Sequence, residues 1–339
     1  MEQIQNNRVI TDLYRENAQF PGIALDGSDV YLCWQRFVDR HDSLMASCRR
    51  GDEVVWEREI SDGGEVLHPV ILAHGGAIWY AWSEYARENW RILARCYRDG
   101  QWGEVLTVAS GEALFFPRLF TWQGRLHVIW TEQHKGSAAA VLCPLTEAGP
   151  GAAETVSAVG EAYRAGAAEG GDGNLYVAYD GFDGKQYKLF ARARTAAGWS
   201  KEIVVSQGED WASTPWIAAK PDGAVVGWYD YGYMAVYSVR SADLSVKDGV
   251  LSAGNHQVLK EGVDWYLDLH VASNASGLQA MAYTRSKYDV LVCTRRGSEP
   301  WSRPVLMSYG DGHCGVHPKL LVSEDDTIHL MWQFGFKNG

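Results

Sequence analysis

The sequence predicts an all-β protein, a seven-bladed β-propeller of four-stranded antiparallel blades, on three observations. First, a short apolar run recurs around proline as FPGIAL at Pro21, HPVILA at Pro69, FPRLFT at Pro117, TPWIAA at Pro215 and HPKLLV at Pro318. Second, two degenerate copies fill the gaps, YRAGAA with Arg164 in the proline place and YLDLHV with Leu267 there. The seven copies then follow at steps of 48, 48, 47, 51, 52 and 51 residues. Third, every copy repeats one internal order of turns and β-branched or aromatic runs, the mark of a repeat architecture with one sheet per unit.

The proline-containing run is the first strand of each copy. A turn rich in Gly, Asp and Asn follows (DGSD, HGG, GGDGN, KPDG, SNASG), the chemistry of a tight hairpin. The second strand ends in an aromatic: VYLCW, IWYAW, LHVIW, LYVAY, AVVGW, LQAMAY and IHLMW. A third run carries Cys48, Cys96, Cys143 and Cys293, expected as small buried side chains rather than as a disulfide framework. The fourth often follows tryptophan, as in DGQWGEVLTVASGE and AAGWSKEIVVSQGE. Residues 1–339 are therefore expected to form a single domain, with blades starting near 20, 68, 116, 163, 214, 266 and 317. Tandem sandwich modules would need linkers, and a helical solenoid would need a 3.6-residue period. The last copy stops soon after Trp332, so RVITDL (Arg8–Leu13) is expected to complete a blade shared between the two ends. The short remainder FGFKNG suggests a chain continuing beyond Gly339.

Composition narrows the function classes. Hydrophobic residues make up 46% and charged residues 22% of the 339, as in a globular domain with a large core. A formal charge of −11 argues against a binder of nucleic-acid phosphates. No apolar run approaches the ~20 residues of a membrane helix. The N-terminal MEQIQNNRVITDLYREN has no basic leader before an apolar stretch, so a cytoplasmic location is expected, or a secreted one if the N-terminus is a boundary within a longer chain.

In a propeller, the loop entering the innermost strand and the loop leaving the second strand lie on one face around the axis. Two sets of side chains are thus expected in a central funnel. Before the proline place stand Phe20, His68, Phe116, Tyr163, Thr214, Tyr266 and His317; after the aromatic come Arg36, Glu84, Glu132, Asp180, Tyr229, Asp230 and Arg285. His68 and His317 suit proton transfer near neutral pH, and Tyr266 offers a phenol. Phe20, Phe116, Tyr163 and Tyr229 offer ring faces to a sugar. Pairs drawn from Glu84, Glu132, Asp180 and Asp230 have the chemistry of a glycosidase acid and base or nucleophile. Arg36, Arg164 and Arg285 suit a ligand carboxylate. His313, in GDGHCGVHP beside Cys314, raises a metal site, but it lacks a paired carboxylate, and no metal or other cofactor is expected.

The recurring (H/F/T)-P-x-ϕ-ϕ strand, the Gly/Asp turn, the run ending in Trp, and DGQWGE or AGWSKE before the fourth strand resemble the sialidase-like, BNR-type β-propeller superfamily. The similarity covers nearly the whole chain, and a degraded Asp-box stands at Tyr97–Trp102, YRDGQW. FPGI replaces the Arg-Ile-Pro that opens the arginine triad of true sialidases, which argues against that activity. The superfamily also contains polysaccharide lyases of the ulvan type and rhamnosidase-like enzymes. The resemblance therefore implies a carbohydrate as substrate or ligand, with fold more strongly indicated than activity.

The funnel residues differ from copy to copy, which suits one asymmetric catalytic site better than several equivalent lectin sites. Cleavage of an oligo- or polysaccharide is expected. Elimination at a uronate would use His68, His317, Tyr266 and Arg164 or Arg285; hydrolysis would use Glu84, Glu132, Asp180 or Asp230. The alternative is a non-catalytic glycan-binding or protein-interaction propeller.

Overall fold

The computed structural model describes residues 10, 17–61, 63–232, 237–263, 268–285, 289–308 and 313–336, with side chains for all of these except 261–263, 313–314 and 334–336. They form antiparallel sheets that succeed one another along the chain, each ordered from an innermost to an outermost strand. Blade 1 comprises Asn17–Asp26, Asp29–Val38, His41–Arg50 and Glu53–Glu59. Blade 2 comprises Glu65–His74, Ala77–Ala86 and Asn89–Arg98, with an outer strand broken into Gln101–Trp102 and Leu106–Gly111. Blade 3 (Ala113–Trp122, Arg125–His134, Ser137–Thr146) and blade 4 (Ala162–Glu169, Leu175–Phe182, Tyr187–Thr195) have outer strands broken in the same way. Blade 5 (Trp211–Lys220, Gly223–Tyr231, Tyr237–Lys247) ends in the long outer strand Val250–Val263, and blade 6 (Leu269–Ser273, Leu278–Arg285, Asp289–Arg296) in the short Val305–Leu306.

Among the described residues the propeller has six blades, where the sequence predicted seven. The last copy of the repeat forms a two-stranded sheet, His313–Val322 with Ile328–Phe336. This terminal hairpin packs between blade 6 and the innermost strand of blade 1. Of the segment expected to complete it, Arg8–Leu13, only Ile10 lies within the described residues; it packs with Met331 against Leu32, Trp34 and Met45.

Apolar faces of neighbouring sheets meet to form the core. Trp34, Trp82, Trp130 and Trp228, the aromatics that close the second strands, are fully buried. Each ring of this kind removes roughly 150–250 Å² from water, which explains its recurrence. Cys48, Cys96, Cys143 and Cys293 are buried free thiols, as is Cys33 on a second strand. At the opposite end from the blade entrances, blades 5 and 6 are tied by buried charge. The Asp243 carboxylate receives Lys220 Nζ at 2.9 Å, Asn255 Nδ2 at 3.0 Å and the Arg295 guanidinium. No helix among the described residues is long and apolar enough to cross a membrane.

Candidate functional site

The innermost strands share one irregularity. Regular pairing with the second strand reaches Gln19↔Gln35, Leu67↔Ser83, Phe115↔Thr131, Tyr163↔Asp180, Ser213↔Tyr229 and Val316↔Gln333, and resumes at residues 22, 70, 118, 166, 216 and 319. Two inner residues thus oppose a single aromatic, as in a β-bulge. The first bulged residue has positive φ in every case: Phe20 49°, His68 53°, Phe116 55°, Arg164 41°, Thr214 55° and His317 52°. Such a conformation costs on the order of 1–3 kcal/mol for a non-glycine residue and persists where the surroundings enforce it. The second bulged place takes proline in five of these copies, where a missing N–H leaves no ladder bond unmade.

This register corrects two places in the sequence alignment. In blade 4 the strained residue is Arg164, with Ala165 in the proline place, so Arg164 rather than Tyr163 belongs to the entrance set. In blade 6 His270 pairs with Ala282 as Trp216 pairs with Gly227, which puts Asp268 where Thr214 stands. Tyr266, assigned to that place from sequence, lies outside the described residues.

The entrance side chains form a ring. Phe20 packs against His317 at 4.6 Å between centroids and against His68 at 5.4 Å, and His68 packs against Phe116 at 4.2 Å. On the other side of His317, Nδ1 lies 2.7 Å from Asp268 Oδ2. The structure therefore brings together four of the expected residues, Phe20, His68, Phe116 and His317.

A second layer lies two residues further along each strand: Gly22, Val70, Arg118, Gly166, Trp216, His270 and Lys319. Its contacts skip whole blades, which is possible only through the centre. Arg118 of blade 3 stacks on Trp216 of blade 5 at 3.7 Å and donates from Nη1 to Pro215 O at 2.7 Å. Lys319 of the terminal hairpin reaches the same indole at 4.6 Å and both oxygens of Asp268 at 3.4 Å. His270 completes the cluster, 4.1 Å from Trp216. Blade 4, which Arg118 crosses, has Gly166 at this level; a Cβ there would sit 2.6 Å from Arg118 Nη1.

The electrostatics of the two layers are linked. Burial pushes Asp268 towards neutrality, but Lys319 and the hydrogen bond from His317 prevail and hold its carboxyl down at about 2. Burial brings Arg118 down to about 10 and lowers Lys319, with Asp268 opposing both shifts. Burial also pushes His68 down to about 4 and His270 well below its ordinary value. His68 feels the charges of Asp268, His317, Lys319 and Arg118, so groups from blades 2, 3 and 6 and from the terminal hairpin act on one space. Its Nδ1 is buried and has no hydrogen-bond partner among the described residues.

The other expected residues lie away from this centre or are held by neighbours. Glu84 is buried, accepts from Trp82 Nε1 at 3.2 Å and pairs with Arg91. Asp230 is likewise buried, accepts from Trp228 Nε1 at 2.6 Å and pairs with Arg240; burial, the largest influence, raises it to about 6 against both partners. Asp180 is buried against Arg164. Glu132 is half-buried, with no ion pair among the described residues. Arg36 is bound to Glu59 at 2.9 Å, and Arg285 to Asp289 at 2.9 Å. Tyr229 is buried, its hydroxyl donating to Asp268 O at 3.1 Å or Thr284 O at 3.3 Å, and Tyr163 donates to Glu161 at 3.3 Å. Thr131, at the place of Tyr229 two blades earlier, accepts from Arg164 N at 3.0 Å, so this position clasps the bulge of the next blade. Among the described residues no cluster of three or more His, Cys, Asp or Glu is placed to hold a metal ion. The side chains of His313 and Cys314 lie outside them.

Sequence reading does not single out Asp268, Arg118, Trp216, His270 or Lys319. The last four carry a signal nonetheless, since they are the x of P-x-ϕ-ϕ, a column of Gly, Val, Arg, Gly, Trp, His and Lys inside an otherwise apolar strand.

The chain matches no protein-family model and no curated protein sequence. Solved structures with a similar fold exist. An ulvan lyase of polysaccharide lyase family 25 is 11% identical over 91% of this chain and 88% of its own, with a TM-score of 0.59. The ulvan lyase bound to -[GlcA(1-4)Rha3S]- gives 11%, 91% of this chain, 89% of its own and 0.59. The sialidase NanB with optactamide gives 7%, 80% of this chain, 65% of its own and 0.54. At these identities the likeness is one of fold, and this chain shares the β-propeller architecture of those proteins.

Proposed function

We propose that this propeller is a carbohydrate-active enzyme that cleaves an acidic oligo- or polysaccharide at its centre by β-elimination beside a uronate. The observation that carries the reading is the His317–Asp268 contact at 2.7 Å, set over the Arg118, Lys319 and Trp216 cluster. With Nδ1–H donating to Asp268, the neutral imidazole presents Nε2 as a base, and the carboxylate stabilises the imidazolium formed when it takes the C5 proton. The developing charge spreads into the sugar carboxylate, where Arg118 and Lys319 neutralise it. One carboxylate, Asp268, faces these two half-buried cations, which leaves positive charge for the sugar carboxylate. The bond to the leaving oxygen breaks as the double bond forms, and that oxygen takes a proton from a second group, for which Tyr266 remains the proposed acid.

Three of the carboxylates suited to hydrolysis, Glu84, Asp180 and Asp230, each have an arginine partner, which favours elimination over hydrolysis. The folds of the similar structures, among them a polysaccharide lyase, support a glycan as substrate. The test is incubation with uronate-containing polysaccharides while the ultraviolet absorbance of the unsaturated product and the reducing ends are both followed. Elimination raises both. Reducing ends without the absorbance would mean hydrolysis, and saturable binding without either would mean a binding module. Cleavage undiminished in His317→Ala would remove His317 as the base.

A further inference from the structure

Among the described residues, nine large hydrophobic side chains are exposed, and they divide by chemistry and place. Five are valines, Val54, Val55, Val204, Val250 and Val258, all on outermost strands. The four aromatics are Phe37 (42%), Tyr85 (37%), Trp211 (47%) and Tyr231 (36%), and all four lie at strand ends on the face where the ring opens. Phe37, Tyr85 and Tyr231 occupy one repeat position, three residues after the second-strand tryptophan, and Phe182 follows Tyr179 at the same distance.

On blades 4 and 5 these aromatics join into a platform. Tyr187 lies 5.4 Å from Phe182, 6.2 Å from Tyr163 and 5.6 Å from Trp211. Trp211 lies 6.3 Å from Tyr231, which lies 4.7 Å from Tyr237. Tyr163 directly precedes Arg164, so the platform reaches the blade 4 entrance position. Its edge is polar, with Asp210 and Arg240 3.9 Å apart.

We infer that this platform, centred on Trp211 and Tyr231, binds the sugar rings of a polymeric glycan that extends outward from the central site. The inference rests on the proposed function only for the identity of the glycan as acidic. Among the described residues the exposed large hydrophobics on this platform are aromatic and stand beside charged groups, with Val258 opposite Arg240 on the outer strand. Such ring faces suit a sugar, whose C–H faces stack while its hydroxyls bond at the edges. A protein-docking face would be expected to carry a contiguous apolar core instead. The consequence is a preference for long chains over short ones.

The experiment is native affinity electrophoresis through gels containing alginate, polygalacturonate or a neutral β-glucan. It compares the wild type, Trp211→Ala/Tyr231→Ala and the outer-strand control Val54→Ala. At least one polyuronate is expected to retard the wild type and Val54→Ala equally, with the double variant weakened about tenfold or more. Equal retardation of the double variant overturns the platform, as does retardation by none of the three glycans, whereas retardation by the neutral β-glucan alone that is lost in the double variant supports the platform and removes its acidic ligand. Retardation that depends on Trp211 and Tyr231 without any cleavage supports the platform while removing the elimination reading. Cleavage with the same KM for the polymer in wild type and double variant does the reverse.

Discussion

Asp268 and His317 come from different sheets, blade 6 and the terminal hairpin, and meet at 2.7 Å beside the central axis. Lys319, two residues beyond His317, reaches the same carboxylate at 3.4 Å, so one acidic group organises both a base and a cation. Asp268→Asn keeps the shape but removes the charge that fixes the Nδ1–H tautomer. We expect kcat on a cleaved polyuronate to fall about 100-fold or more with KM changed only a few-fold, the range of a lost general-base contribution. Steady-state kinetics check this, and a rise in KM at constant kcat would reassign Asp268 to binding.

Arg118 reaches Trp216 only because Gly166 leaves room, and Gly166 does not have positive φ, so an alanine there would act by steric displacement alone. Arg118→Ala should lower kcat/KM on a polyuronate about 100-fold and cost about 1–2 kcal/mol through the lost cation–π contact and hydrogen bond. Gly166→Ala should reproduce much of both effects. In the double variant the penalties should fall well short of additive, because the second change acts on an arginine already gone. Urea denaturation of the four proteins checks the cycle, and full additivity would show that Gly166 serves something other than Arg118.

The buried charges between blades 5 and 6 make a purely structural prediction. Lys220 and Arg295 both pair with Asp243, and Asp243→Ala takes the shared carboxylate from between two buried cations, leaving Lys220 the exposed Asp222 at 3.4 Å and Arg295 the neutral Gln279 at 2.8 Å among its contacts. We expect a loss of about 3–5 kcal/mol. This network sits at the opposite end from the ring, so folded variant protein should retain kcat. Chemical denaturation alongside kinetics separates the two.

How much of this was legible follows from what each residue needs. The blades were legible because bulge, proline and opposing tryptophan are tied together by local geometry, and Phe20, His68, Phe116 and His317 stand next to that proline. Blade 4 slipped by one residue and blade 6 by two because Arg164–Ala165 and Asp268–Leu269 lack it, and only pairing with the second strand fixes their register. The count of six blades was not legible, since the seventh copy keeps the inner-strand signature and, among the described residues, forms only two strands. The arginines that bind Glu84 and Asp230, Arg91 and Arg240, come from third strands, and cross-strand partnership is invisible without register. The second layer was missed for a related reason: whether Arg118 or Lys319 turns to the axis depends on the bulge resetting the alternation of the strand.

His68 supplies a test by pH. Its ring is packed between Phe20 and Phe116, and burial holds its pKa at about 4, against an ordinary value of 6.5. Between these values the unfolded chain takes up a proton that folded His68 refuses, so stability falls as pH falls from 6.5 to about 4. At 1.36 kcal/mol per unit, the loss approaches about 3 kcal/mol. His270, His127, His256 and His329 are shifted in the same direction, also chiefly by burial, and contribute slopes of their own. Asp268 acts in a separate window: its lowered pKa gives stability that is lost only as pH falls from about 4 towards 2. His68→Phe places in blade 2 the residue that blades 1 and 3 already carry, and so removes the titration while keeping the packing. The variant should match the wild type below pH 4 in slope, yet lose stability less steeply between 6.5 and 4. Urea denaturation at half-unit pH steps gives both slopes, and an unchanged slope above pH 4 would mean that His68 is protonated in the folded ring.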